Sequence, residues 1–259
     1  MRRLAIIAAF VAVPATTAPV LAQQNDTSWE IATGADYSAG EYGGTSDTTV
    51  FAVPFSLKMT ADRLRVELGV SYLNLEGPGA FAGGPGTPVI VDPGIEDVTT
   101  RSGIGDTTVG GAFALFRTDD RASAIEAAGT VKLPTAKSGL GTGKTDFTTQ
   151  LNFYYTMSPG FLLTGSAGYQ WLGDFRNFGL KDGFLGNVGM NAWPNQTTAI
   201  GGALSFRQEP WEGIGEQVSI SPYVLWRFDE NWGVTGYGTV GLTEASPRFG
   251  TGLRLTAYR

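Results

Sequence analysis

From Thr145 to Met157 the chain reads TDFTTQLNFYYTM. Phe147, Leu151, Phe153, Tyr155 and Met157 fall on one parity, and Asp146, Thr148, Gln150, Asn152 and Thr156 on the other. A two-residue period places the two sets on opposite faces of a strand. Residues 63–75 repeat the pattern, with Leu64, Val66, Leu68 and Val70 opposed to Arg63, Arg65, Glu67 and Ser71. Residues 217–228 do so again, with Val218, Ile220, Val224, Trp226 and Phe228 opposed to Gln217, Ser219, Ser221 and Arg227. The same rule applied to weaker segments predicts about twelve strands, near 28–37, 48–58, 63–75, 105–117, 121–134, 145–157, 161–173, 181–193, 197–207, 216–228, 232–242 and 248–258. No segment keeps a helical period.

The connections alternate in length. Short turns are expected at 60–62, 118–120, 158–160, 194–196 and 229–231, and longer loops between them, notably Glu76 to Ile104 and Glu209 to Gly215. Short turns at one end and long loops at the other describe an up-and-down antiparallel barrel. Strands of 11 to 13 residues match the tilted span of a bilayer better than the ~5 or 6 residues usual in soluble sheets. The lumen of a twelve-stranded barrel is too wide for an oily side-chain core of the eight-stranded kind. The polar parity is therefore expected inside and the apolar parity in lipid, giving an all-β, single transmembrane β-barrel. Arg63, Arg65, Glu67, Glu126, Lys132, Asp146, Gln150, Asn152, Arg227 and Arg254 are the expected lumen-lining residues. Aromatics near strand ends, among them Trp29, Tyr37, Trp171, Trp193, Trp226 and Trp232, suit the two membrane interfaces.

The N-terminus fits this reading. Arg2 and Arg3 precede an apolar run, and Val20-Leu21-Ala22 suits signal peptidase, so residues 1–22 are expected to be a cleaved export signal and 23–259 the barrel. Of 18 Lys+Arg the signal carries two, leaving 16 against 24 Asp+Glu and a mature net charge of −8. Nucleic acid is an unfavourable partner at that charge. With no Cys and no His, the chain lacks thiolate metal ligands, disulfides and the commonest general base. No cofactor, metal or catalytic set is expected.

One motif points elsewhere at first sight. Ser138 to Thr145 reads SGLGTGKT and ends as a phosphate-binding loop ends. That loop, however, needs Gly where Ser138 stands, and a helix after the Lys to hold phosphate at its N-terminus. A strand pattern follows instead, so the segment reads as a hairpin loop.

Its surroundings resemble a known family. Lys132, Leu133, Pro134 and Thr135, then Gly139, Leu140, Gly141, Thr142 and Gly143, then Asp146, with Gly103-Ile104-Gly105-Asp106 upstream, are similar to the outer-membrane transporter-like family described as "putative MetA-pathway of phenol degradation". The resemblance implies a barrel in the bacterial outer membrane that takes up aromatic compounds. The chain's last residues, RFGTGLRLTAYR, resemble the signal read by the outer-membrane assembly machinery, through Arg248, Gly250, Leu253 and Leu255; Tyr258 is displaced from the end by Arg259. The expected partners are outer-membrane lipid, that machinery and a small-molecule solute.

The leading expectation is thus a passive channel for small, hydrophobic or aromatic molecules, in which the loop Glu76 to Ile104 folds inward or caps the mouth. The lumen charges read equally as an electrostatic filter or as mutual salt bridges that close the barrel. The second reading accompanies an alternative function, a structural or adhesive surface barrel.

Overall fold

The computed structural model describes residues 27–80, 89–90, 97–120, 122–173 and 179–259. The predicted export signal lies outside them, as does part of the loop Glu76 to Ile104. Among the described residues thirteen strands form one antiparallel sheet: β1 Ser28–Gly40, β2 Thr48–Ala61, β3 Leu64–Pro78, β4 Val98–Ile104, β5 Thr107–Arg117, β6 Ser123–Leu133, β7 Asp146–Ser158, β8 Phe161–Trp171, β9 Gly183–Ala192, β10 Thr198–Arg207, β11 Gln217–Arg227, β12 Trp232–Gly241 and β13 Phe249–Tyr258. Each strand pairs with its sequence neighbour, except at two places. One is the closure, where β1 pairs with β13 from Glu30↔Tyr258 to Ala39↔Phe249. Trp29 and Arg259 extend the seam with reciprocal backbone bonds of 2.7 and 2.8 Å. The sheet has no free edge along this seam.

The other exception is β3. Its outer half, Tyr72 to Pro78, pairs with β4, and its lower half, Leu64 to Gly69, pairs with β5. β4 and β5 are one wall strand broken at Gly105-Asp106, so the barrel is twelve-stranded. Residues 98–104, expected in the long loop, are therefore strand. The sequence hid this because Val98 to Gly103 has little apolar alternation.

Burial follows the two-residue period. In β3, Arg65, Gly69, Ser71, Leu73 and Leu75 are buried while Leu64, Val66, Leu68 and Tyr72 are exposed. In a closed sheet the buried parity faces the interior. Among the described residues forty large apolar side chains are exposed, far more than a water-facing surface carries. Ring pairs mark both borders of this belt. Trp226 and Phe228 lie 5.7 Å apart near the short turns, and Tyr169 lies 5.0 Å from both Trp171 and Phe184 near the long loops. This is the outer-membrane barrel architecture, with the short turns at the periplasmic end.

Val188 sits mid-strand in β9 on the outer face, 61% exposed. Val188→Arg is expected to lose about 2–4 kcal/mol of stability in lipid vesicles, the cost of a cation at the bilayer midplane. Urea unfolding of the vesicle-inserted protein checks this. An unchanged midpoint would place Val188 away from lipid.

Candidate functional site

Among the described residues the ion pairs of the barrel interior fall in four groups. Near the long loops, Lys132 Nζ lies 3.2 Å from Asp106 Oδ2 and 2.9 Å from Asp146 Oδ2, and donates to Thr142 Oγ1 at 3.0 Å. All four residues are buried. Each carboxylate is also held by a loop: Ala136 N donates to Asp106 Oδ1 and Gly173 N to Asp146 Oδ1, both at 2.9 Å. Asp106 stands at the β4–β5 break, Lys132 at the end of β6 and Asp146 at the start of β7. The cluster thus fastens the β6–β7 and β8–β9 loops to the wall where its ladder is interrupted. The Gly-rich segment belongs to this fastening. A Cβ on Gly141 would come within 2.6 Å of Asp106 Oδ2, and Gly139 and Gly143 have φ of 84° and 69°.

Lower down, Arg65 Nη2 lies 3.1 Å from Glu126 Oε2, which also accepts from Tyr154 Oη at 3.0 Å and from Asn152 Nδ2 at 3.4 Å. Gln150 Nε2 donates to Asn152 Oδ1 at 2.8 Å. On the opposite wall Asp36 accepts from the Tyr237 hydroxyl and lies 3.8 Å from Arg254 Nη2. Lys58 Nζ lies 2.5 Å from Glu30 Oε2. The Arg227 guanidinium sits 4.2 Å from the centre of the Tyr258 ring, at the periplasmic rim.

Of the ten residues singled out from the sequence, Arg65, Glu126, Lys132, Asp146, Asn152 and Arg254 are buried on the inward parity. Glu67, Gln150 and Arg227 share that parity and are partly accessible. Arg63 is not among them. The β2–β3 turn is Asp62-Arg63, with Asp62 at φ 46°, so Arg63 is exposed outside the ladder and donates to Ala114 O at 3.5 Å. Once a residue sits in the turn, strand parity no longer fixes its side.

Sequence reasoning missed that the inward parity is apolar in places. Ala114, Ala124, Tyr154, Leu162, Ala199, Tyr223, Leu225 and Tyr237 form one buried cluster in the periplasmic half, with Trp193 packed against it. Trp193, expected at the lipid interface, faces inward. The signal was present: Tyr223 and Leu225 share the parity of Ser219 and Ser221, and Tyr154 that of Asn152. Two of the tyrosines lie over glycines. Tyr223 is paired with Gly201, and a Cβ there would come within 2.6 Å of the ring; Tyr237 is paired with Gly252, where the distance would be 2.4 Å. Each ring crosses the glycine strand to reach an acceptor beyond it, Tyr223 on Asn191 and Tyr237 on Asp36.

Above this floor the β3–β7 wall stays open. Glu67, Thr108, Thr148 and Gln150 are partly accessible and Thr130 is exposed, although all five face inward. They line a vestibule between the floor and the loops. The loops in turn pack on one another over the mouth. Ile90, from the β3–β4 connection, is buried with Trp211, Ile214 and Ala245 of the far wall's loops. Gly43 N donates to Glu244 O at 2.9 Å. Tyr42 is buried beside Val50, Leu75 and Leu140, and burial pushes its hydroxyl up to about 12 while it donates to Ser38 Oγ at 2.8 Å. Among the described residues no group of three or more His, Cys, Asp or Glu is placed to hold a metal ion.

The family model described as "Putative MetA-pathway of phenol degradation" matches residues 45–259, a stretch that contains all three residues of the Asp106–Lys132–Asp146 fastening. The chain belongs to this family. Solved structures share the architecture. The COG4313 outer membrane channel from Pseudomonas putida F1 is 14% identical, with 92% of this chain and 96% of that one covered at a TM-score of 0.64. The NanC porin is 7% identical, with 88% and 98% covered at 0.58. The KdgM porin is 10% identical, with 88% and 97% covered at 0.53. At these identities the likeness is one of fold. No curated protein sequence matches the chain. Within the family fold, the motif residues of this chain serve the wall and its loops, and the vestibule lies beside them.

Proposed function

We propose that the protein is a passive outer-membrane channel for small neutral molecules of apolar or aromatic character. In this reading residues 1–22 direct export, and the C-terminal strand is read by the assembly machinery. The observation that carries it is the vestibule. A barrel whose interior served only as a structural core would leave no inward side chain in contact with water, yet Thr130 is exposed and Glu67, Thr148 and Gln150 are partly so. The charges of the lower lumen are matched in pairs, Arg65 with Glu126, Lys58 with Glu30 and Arg254 with Asp36, which leaves that part of the path nearly neutral. The aromatic floor adds polarizable surface, and the family's description names phenol degradation. Transport here is binding and diffusion, with no bond made or broken.

The test is entry of radiolabelled phenol, supplied at limiting concentration, into cells with and without the protein. Faster entry with the protein is the expected result. Equal rates in the two strains, with the barrel folded in the outer membrane, would refute the reading.

A further inference from the structure

The lower lumen is closed, by an apolar and aromatic cluster set among paired charges. Tyr154, Leu162, Leu225 and Ala199 are each at most 2% exposed, and the facing charges of Glu30, Lys58, Arg65 and Arg254 are buried too. Such a layer lies across the path from vestibule to periplasm. The geometry points to an ion-excluding septum in which Tyr154, Tyr223 and Tyr237, with Leu162 and Leu225, determine specificity: neutral apolar solutes part it, and inorganic ions do not. This inference rests on the proposed channel function and names the residues that select its solutes.

Four features support it. An ion entering the septum would shed water, while the fixed charges around it are already matched within their own pairs and bonded to neighbours. A closed layer of rings and aliphatic side chains leaves no continuous water column for an ion to follow. An aromatic solute meets ring faces instead and replaces one apolar contact with another. The tyrosines also carry a fixed anchor, so a ring displaced by a solute has a set position to return to. Each is held by a hydroxyl bond to a neighbouring wall residue, Tyr154 to Glu126, Tyr223 to Asn191 and Tyr237 to Asp36, and does not rely on its ring packing alone.

The experiment pairs two readouts on the full-length protein refolded or expressed as an outer-membrane barrel: single-channel conductance in potassium chloride, and radiolabelled phenol entry into cells. Wild type is expected to conduct little while admitting phenol. The double variant Tyr223→Ala, Tyr237→Ala is expected to raise conductance by an order of magnitude or more while phenol entry persists. Tyr223→Phe keeps the ring and is expected to remain ion-tight. Leu225→Ala gives an independent opening of the same layer if the double variant does not fold. Wild-type conductance as high as that of the opened variants, or variants as ion-tight as wild type, would overturn the septum. Absence of phenol entry in wild type would instead overturn the channel reading, so the two failures are distinguishable.

Discussion

Replacing Lys132 with Met is expected to destabilise the barrel by roughly 3–5 kcal/mol, the range for removing one partner of a buried ion pair. Met is close to Lys in length, so packing changes little and the loss is electrostatic. Asp106 and Asp146 would face each other without the cation that now lies 3.2 and 2.9 Å from them. Their remaining bonds, from Ala136 N and Gly173 N, tie down two loops, so the outer end of the wall should loosen along with the cluster. The urea midpoint of the vesicle-inserted protein measures the loss. Adding Asp146→Asn removes one of the opposed charges, and the double variant is expected to regain part of the stability. A single variant as stable as wild type would mean the cluster is solvated and the fastening is not electrostatic.

Gly252→Val is expected to be nearly as damaging, for a steric reason. A Cβ at this position would lie 2.4 Å from the Tyr237 ring and hydroxyl and 2.6 Å from Asp36 Oδ1. The ring must leave its shelf, which strands Asp36 without the phenol and crowds the lumen. Overpacking and a lost buried hydrogen bond together amount to about 3 kcal/mol. Gly238→Ala is the control, since the nearest atom to its added Cβ is Gly250 O at 3.8 Å. The pair Gly252→Ala with Tyr237→Ala should cost less than the sum of its singles, because the second change removes what the first collides with. Additive losses would show that the shelf and the ring are not coupled.

These two sites show how far the sequence could be read. Strand alternation is local, so residues 145–157 and 217–228 disclosed both the barrel and the face each side chain takes. The twelve wall strands followed from counting such segments. What stayed hidden depends on neighbours distant in sequence. The shelf of Tyr237 on Gly252 arises only once β12 and β13 are in register, and its acceptor Asp36 lies 201 residues away. The pair Arg65–Glu126 spans 61 residues. The break at Gly105-Asp106 gave a motif but no role until β3 was seen to divide its pairing between β4 and β5. Arg63 misled because parity counts from a strand end that the turn had shifted by a residue. The glycine run that mimics a phosphate loop found its meaning in the space Gly141 leaves for Asp106.

The chain contains no cysteine, so a single introduced thiol reports on one position alone. Thr130→Cys places that thiol on the open wall of the vestibule, where Thr130 is exposed on the same strand face as the buried Glu126 and Lys132. Cells carrying this variant can be treated with a bulky, charged, membrane-impermeant thiol reagent and then assayed for radiolabelled phenol entry. If solutes pass through the lumen, labelling should lower entry to the level of cells lacking the protein, while reagent-treated wild type is unaffected. Full labelling of Cys-substituted position 130 with phenol entry unchanged would contradict a path through the barrel.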